Sequence, residues 1–261
     1  RGESFVEGKT PMLKQRFTQY ERDGLAVQLR VKKDFYVRVD LRRADEVTPS
    51  YLEADTEDLK KRERAAALKL NVVKTSGGDV TMRGVPMLYQ GGRAYCGITT
   101  YLMAARYLGI QIDPATMASV SGFRYGLGGN KMIEAYTAVA KEGQLRLNRS
   151  TKLNVERVKA SIDDGIPVVV WRRYDSKRNR LHMVSAKPRH GVYAQLPEAD
   201  EVDRATWPGQ GSPAHASVIT GYHPERNEFI FSESWGEHAR DKRMRAEELE
   251  STAYYVFYFS L

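Results

Sequence analysis

Cysteine is nearly absent from this chain: Cys96 is the only one among 261 residues. A single thiol excludes an internal disulfide and any metal site built from several thiolates. Long apolar runs are absent too, since no segment approaches the roughly 18 residues that a helix needs to cross a bilayer. The sequence therefore predicts no membrane span, and it shows no motif for a metal or another cofactor.

Charge of one sign is not concentrated anywhere in the sequence. The chain has 41 basic and 33 acidic residues, a formal net charge of +8, but the signs alternate in stretches such as Glu237-His238-Ala239-Arg240-Asp241-Lys242. Such interleaving is typical of a solvated mixed-charge surface, so we expect no specific nucleic-acid partner. Aromatic residues make up 10% of the chain, which excludes a disordered protein.

The first 80 residues predict a β-hairpin and a helix. Apolar residues occupy every second position in two runs, which are Leu25, Val27, Leu29 and Val31, then Phe35, Val37, Val39 and Leu41. We expect two strands whose apolar face is buried. A charged helix is expected over residues 51–70, and a strand that ends near residue 85. We interpret residues 1–80 as an integral accessory, with a removable pro-region as the alternative.

Helices precede strands in residues 81–261. The predicted helices are Cys96–Gly109, Asn130–Gly143 and Asn154–Gly165, and the predicted strands are Val168–Trp171, Ser217–Tyr222, Glu228–Ser232 and Ala253–Ser260. Only strands are expected after residue 171. This order predicts an α+β fold with two lobes and a site in the cleft between them.

Cys96 lies where a reactive thiol is expected. It begins a predicted helix after a glycine-containing loop. A helix N-terminus stabilises a thiolate and offers free N–H groups to a developing oxyanion. On position alone, a small buried hydrophobic residue is the alternative interpretation.

His215 is the candidate base among five histidines. It opens a predicted strand, and the next strand leads into Glu233. Adjacent antiparallel strands would bring Glu233 beside His215, where its carboxylate accepts a ring N–H. Structural or surface roles are expected for the others, which are His182 on a predicted strand, His190, His223 and His238. Their spacing predicts no zinc site.

The order of these residues resembles that of papain-like cysteine peptidases. Gln90 precedes Cys96 by six positions, as the oxyanion-hole glutamine precedes the nucleophile in that family. His215 and Glu233 then follow in the family order of cysteine, histidine, and amide or acid. The blocks Val85–Gln90, Cys96-Gly97 and His215–Tyr222 look most like the C39-like branch, and the resemblance covers about Gly84 to Leu261.

Three positions depart from the papain pattern. Arg93 stands where papain has a second cysteine, and Gly97 stands where papain has an aromatic residue. The third catalytic position is asparagine in papain and usually aspartate or asparagine in C39-like relatives. Glu233 offers the same carboxylate acceptor as aspartate on a side chain that is one methylene longer.

The resemblance implies a papain-like fold, with Cys96 on a helical lobe and His215 and Glu233 on an antiparallel β lobe. It implies hydrolysis of a peptide or protein substrate through a thiolate–imidazolium pair, with Gln90 and the Cys96 N–H in the oxyanion hole. Gly97 and Trp235 are implied to bind substrate, and Trp235 to shield the bond between histidine and glutamate. The usual location of the family and the start of the sequence at Arg1 favour a secreted or periplasmic protein. We expect that a segment before Arg1 has been removed, and a targeting segment is one candidate for it.

Two other functions are compatible with the same residues. A thiol acyltransferase or transpeptidase would form the same acyl-enzyme and pass the acyl group to an amine. A catalytically degenerate papain-like domain would serve only for binding, with Glu233 as a sign of lost activity.

Overall fold

The computed structural model describes residues 2–7, 13–33, 36–46, 61–123, 129–186 and 195–261. The chain divides into two compact units, of which the first comprises residues 1–58 and 109–145 and the second comprises residues 59–108 and 146–261. The predicted boundary at residues 80 and 81 stays a prediction, as does the accessory role of the first 80 residues.

The described residues form helices and strands in mixed order along the chain. The helices are α1 (Lys61–Lys69), α2 (Cys96–Tyr107), α3 (Pro114–Val120), α4 (Gly129–Glu142), α5 (Val155–Asp163), α6 (Ser176–Ala186), α7 (Glu201–Arg204) and α8 (Ala246–Thr252). The strands are β1 (Gly2–Glu7), β2 (Gln15–Arg22), β3 (Leu25–Lys32), β4 (Tyr36–Arg43), β5 (Val72–Lys74), β6 (Val80–Met82), β7 (Arg146–Ser150), β8 (Val168–Arg173), β9 (Ala214–His223), β10 (Glu228–Ser232), β11 (Lys242–Arg245) and β12 (Ala253–Ser260).

A four-stranded antiparallel sheet, β1 to β4 in chain order, forms the centre of the first unit. β3 and β4 are the predicted hairpin, in which Leu29 lies opposite Val39, whereas Phe35 lies outside the described residues. Asp23 and Gly24 have positive φ angles of 51° and 75°, as the tight turn between β2 and β3 requires. The same unit contains α3 and α4, and α4 confirms the helix that was expected over residues 130–143.

The two faces of this hairpin are buried in the opposite sense to the prediction. Apolar side chains of β4 are exposed, and Val39 keeps 63% of its surface accessible. The polar face is the buried one, because its charges are paired: Arg30 is almost fully buried and lies 3.1 Å from Asp40 and 3.7 Å from Asp113. Asp113 also caps α3 by accepting backbone N–H bonds. Paired charges therefore replace apolar contacts on this face.

The second unit is built on an eight-stranded sheet. Six strands follow the order β11-β10-β9-β8-β12-β7, and β6 joins through β9 and pairs with β5. All described pairings in this sheet are antiparallel. The predicted α+β class is therefore confirmed. Strand β9 lies between β8 and β10, which places its residues next to both neighbours.

Helix α2 packs against this sheet within the second unit. The hydroxyl of Thr100 donates a hydrogen bond of 3.2 Å to the carbonyl of Ala216 on β9. Farther along, the Tyr101 ring lies 5.6 Å from the Phe259 ring on β12. Residues 98–105 of the helix are fully buried. The apolar sequence of α2 therefore fixes its first residue, Cys96, close to one end of β9.

The expectation of strands alone after residue 171 is wrong. Helices α6, α7 and α8 lie between the later strands, and His182 is on α6 rather than on a strand. The buried positions of α6 are Arg178, Asn179, His182 and Ser185. Their spacing is helical, but all four side chains are polar, so no apolar period marks this helix in the sequence. Of the expected helix over residues 51–70, α1 forms the last part, and residues 51–60 lie outside the described residues.

None of the helices in the described part of the chain has both the length and the apolar character needed to cross a membrane.

The two faces of the first sheet should respond differently to substitution. Arg30→Met should lower the free energy of unfolding by about 3 kcal/mol or more, because it leaves buried carboxylates without their cation. Val39→Thr should change it by less than about 0.5 kcal/mol, because the side chain is exposed. Thermal and urea unfolding followed by circular dichroism measures both. Equal destabilisation by the two substitutions would show that the apolar face is buried in solution.

Candidate active site

Cys96 is the first residue of α2, and backbone N–H groups surround its sulfur. The backbone N–H groups of Cys96, Gly97 and Ala216 lie near Sγ and favour its thiolate form. The side chain is half-buried. Burial raises the pKa of the thiol and outweighs the three N–H groups, which lower it, while the negative charge of Glu233 raises it further. The thiol therefore stays protonated at neutral pH.

His215 lies near the start of β9, directly before the alanine whose N–H meets the Cys96 sulfur. Its imidazole stacks on the Trp235 indole, with ring centroids 4.5 Å apart and planes 28° from parallel. The Tyr174 ring packs on it from 5.4 Å away. Burial lowers the His215 pKa to about 4, and this exceeds the opposing effect of Glu233. The imidazole is therefore neutral at pH 7.

Glu233 follows β10, the strand next to β9, and is completely buried. Its Oε1 lies 3.4 Å from Nε2 of His215, as the antiparallel pairing predicts. The same oxygen is 2.5 Å from a guanidinium nitrogen of Arg172, and Oε2 binds the ammonium of Lys242. Burial alone would raise the Glu233 pKa, but Lys242 and Arg172 lower it to about 2. The carboxylate is therefore ionised.

Gln90 is held against the residues that follow Glu233. Its Oε1 accepts a hydrogen bond of 2.6 Å from Ser234, and its Nε2 donates one of 2.8 Å to the carbonyl of Arg93. The backbone N–H of Gln90 also donates to the carbonyl of Ser234, at 2.8 Å. A carboxamide nitrogen has two N–H groups, so the second N–H of Gln90 can serve a substrate.

Trp235 and Gly97 are the two predicted substrate-binding residues. Trp235 forms a backbone bridge with Tyr89, the residue before Gln90, and its ring covers the His215 imidazole. Gly236 follows with φ of +93°, a conformation that favours glycine and lets the chain turn there. The N–H of Gly97 faces Sγ of Cys96. Contact of either residue with a substrate stays a prediction.

The remaining histidines lie apart from this constellation. On α6, Nε2 of His182 is 3.0 Å from a carboxylate oxygen of Glu248. Nε2 of His223 is 2.9 Å from the carbonyl of Gly77, and His238 is exposed. His190 lies outside the described residues. Across the described parts of the chain, no group of three or more His, Cys, Asp or Glu side chains could hold a metal ion.

Two buried cations beside Glu233 were not singled out in the sequence. Arg172 lies directly opposite His215 on the neighbouring strand β8. The one signal for it in the sequence is a charged residue that directly follows an apolar run. Lys242 was interpreted as part of a solvated mixed-charge surface. That interpretation is wrong, because the side chain of Lys242 has no exposed surface. Its ammonium is bound by Glu233 and by the carbonyl oxygen of the Asn179 side chain.

A cavity of about 820 Å³ opens beside the ends of β8 and β12. Arg173, Trp207 and Tyr254 are among the residues that line it. Arg173 lies opposite Ala214, the residue before His215. Burial raises the pKa of Tyr254, and the Arg173 guanidinium beside its ring opposes this effect. The lining of this cavity includes none of Gln90, Cys96, His215 and Glu233.

The comparisons with known proteins agree with the resemblance seen in the sequence. Residues 82–259 match the model of a family described as the Peptidase_C39 like family. This match confirms the suspected C39-like branch of papain-like cysteine peptidases. The comparison with curated proteins found no significant match.

Two solved structures also match. One is a protein from Bacillus anthracis described as a C39-like peptidase, with 16% identity, a TM-score of 0.43, and coverage of 69% of this chain and 96% of that chain. The other is the peptidase domain of Streptococcus ComA, described as a bifunctional ABC transporter involved in a quorum-sensing pathway. It has 12% identity, a TM-score of 0.41, and coverage of 68% of this chain and 98% of that chain.

Alkylation of Cys96 should follow the titration of a protonated, half-buried thiol. Because burial raises its pKa, the rate with iodoacetamide should still be rising at pH 9, and its midpoint should exceed that of the urea-unfolded chain. Mass spectrometry of the single labelled cysteine gives both rates without ambiguity. A folded-state rate that is already maximal between pH 5 and pH 7 would instead show a resting thiolate–imidazolium pair.

Proposed function

The chain belongs to the Peptidase_C39 like family, and from this we propose that it is a cysteine peptidase that hydrolyses peptide bonds. Cys96 is the nucleophile, His215 the base, Glu233 the residue that orients the imidazole, and Gln90 a donor in the oxyanion hole. The observation that carries the proposal is the packing of α2, which begins at Cys96, against Ala216, the residue that follows His215.

The position of Glu233 selects the tautomer of the base. Its Oε1 faces Nε2 of His215 at 3.4 Å, which favours the tautomer that carries its proton on Nε2. Nδ1 is then the unprotonated nitrogen and acts as the base. Nδ1 of His215 is then the atom that accepts the proton of the Cys96 thiol.

Acylation begins from a neutral thiol and a neutral imidazole. As the sulfur attacks the substrate carbonyl, Nδ1 of His215 takes the thiol proton, so thiolate character develops only during the reaction. The second N–H of Gln90 and the N–H of Cys96 stabilise the oxyanion of the tetrahedral intermediate. His215 then returns its proton to the leaving amine. Water attacks the resulting thioester with His215 again as the base, and the acid product and free thiol are released.

The substrate is a peptide or protein segment that lies along the cavity beside Tyr254. Aromatic rings in its wall, including Trp207, offer flat apolar surfaces, and Arg173 carries charge next to them. A cleft with an apolar wall and a few polar groups can bind an extended peptide whose side chains enter it.

Replacement of the nucleophile should separate activity from folding. Cys96→Ala should lower peptide hydrolysis at least about a thousandfold, because no acyl-enzyme can form, and should leave the unfolding temperature nearly unchanged. The assay follows cleavage of a peptide library by mass spectrometry, with and without an added amine. Undiminished hydrolysis by Cys96→Ala contradicts the proposal. Amide products in place of acids would assign the chain to the acyltransferases, and no turnover by the parent chain would indicate a binding domain.

Gln90 should affect turnover more than substrate binding. Gln90→Ala should lower kcat about 100-fold to 1000-fold with little change in KM, since the amide acts on the oxyanion of the transition state. Ser234→Ala is the matched control: it removes only the hydroxyl that holds Oε1 of Gln90, so its loss of kcat should be smaller. If the two variants have equal kcat, Gln90 does not contribute directly to the oxyanion hole.

A further inference from the structure

We propose that Arg172 and Lys242 are positioning residues that act through Glu233. By binding both of its oxygens, they more than compensate the negative charge of this carboxylate, so that His215 works as an uncharged base. The inference rests on the proposed function, because it concerns the same imidazole. It goes further by assigning a catalytic consequence to two cations that lie behind the site.

The contacts of Glu233 leave neither oxygen to the histidine alone. The Arg172 guanidinium is 2.5 Å from Oε1, and its Nε donates a bond of 3.1 Å to the Ser217 hydroxyl. That hydroxyl donates to the same Oε1 at 3.3 Å. Lys242 donates to Oε2. Nε2 of His215, at 3.4 Å, is thus the most distant of these groups from the carboxylate.

The charges in this cluster do not cancel. One carboxylate is bound by two cations, and the groups have almost no exposed surface. The net charge beside the imidazole is therefore positive, whereas an ordinary catalytic carboxylate leaves it negative. In a poorly solvated site this excess disfavours a second positive charge on the ring.

Lys242 also reaches the histidine through the aromatic ring that covers it. Its ammonium lies 5.3 Å from the Trp235 ring centroid and 5.2 Å from that of Phe231. Because the Trp235 indole stacks on His215, the cation, the indole and the imidazole are neighbours. Removing the charge of Lys242 changes the field at the imidazole without removing a group that touches it.

The other groups near His215 do not reverse this balance. Tyr174 packs on the ring from the end of β8 and is neutral, because burial raises its pKa. Cys96, on α2, is a neutral thiol at pH 7. Among the charged groups, Glu233 favours the imidazolium, and Arg172 and Lys242 oppose it. Burial is the largest cause of the low His215 pKa, and the two cations add to it by opposing Glu233.

A second buried network supports the position of Lys242. Its ammonium binds the Asn179 side chain on α6, next to Arg178, which binds Asp203 and Glu248. This network holds two carboxylates and one guanidinium, so it carries the opposite excess charge. It makes a positive cluster around Glu233 tolerable in the interior.

The experiment measures the titration of His215 directly. NMR of the full chain with labelled histidine, assigned by the signal lost in His215→Asn, should give a midpoint well below pH 6.5 for the parent protein. In Lys242→Met the midpoint should move up by about one pH unit or more, and the acidic limit of kcat/KM should follow it. Lys242→Arg, which keeps the charge, should retain the parent midpoint.

A purely structural role for Lys242 predicts a different pattern. Lys242→Met would then lower the unfolding temperature and leave the His215 midpoint in place, which overturns the inference. Lys242→Gln, which keeps hydrogen bonding, replaces the methionine variant if that variant does not fold. A parent midpoint at or above pH 6.5 also overturns it. Because NMR reads the imidazole without turnover, these outcomes are distinct from a failure of the chain to hydrolyse peptides.

Discussion

A negative charge held in the protein interior is the constraint on which the site depends. Glu233 has no exposed surface, so its carboxylate must be paired within the protein. Arg172 reaches it from β8 and Lys242 from β11, and the residue itself follows β10. The pairing therefore joins β8, β10 and β11. Of these, β8 and β10 lie on either side of β9, the strand that carries His215. Without this pairing, Glu233 would be an unpaired buried charge beside His215.

This constraint changes the chemistry expected from a third catalytic carboxylate. Papain uses a neutral amide at this position, as the resemblance indicated, and the sequence left two interpretations of glutamate: an acceptor equivalent to aspartate, or a sign of lost activity. The ion pairs around Glu233 offer a third interpretation. A carboxylate whose charge is compensated by two cations no longer favours an imidazolium through a net negative charge, while its oxygen still lies 3.4 Å from the ring Nε2. In this interpretation, the unusual residue at position 233 is compatible with catalysis.

Local patterns in the sequence predicted much of the fold and the order of the site. Apolar periodicity located α2, α4 and α5, and strands β8, β9, β10 and β12, and adjacent strands correctly predicted that Glu233 lies beside His215. The missed features are all buried and polar. Lys242 has the same neighbours in sequence as a surface lysine, and its partner Asn179 is 63 positions away. Helix α6 was missed because polar side chains form its buried face. Pairing between distant charges leaves no local period, so sequence patterns cannot reveal it.

One residue of β9, Ala216, contacts α2 both at the nucleophile and one turn farther along the helix. The N–H of Ala216 lies near the Cys96 sulfur, and its carbonyl accepts a hydrogen bond from the Thr100 hydroxyl one turn farther along α2. The separation of 116 positions between Thr100 and Ala216 is thus bridged by one hydrogen bond. Insertions or deletions in surface loops of that long stretch need not alter the reactive geometry. Evolution could therefore remodel substrate preference through loop length while the chemical step stays intact.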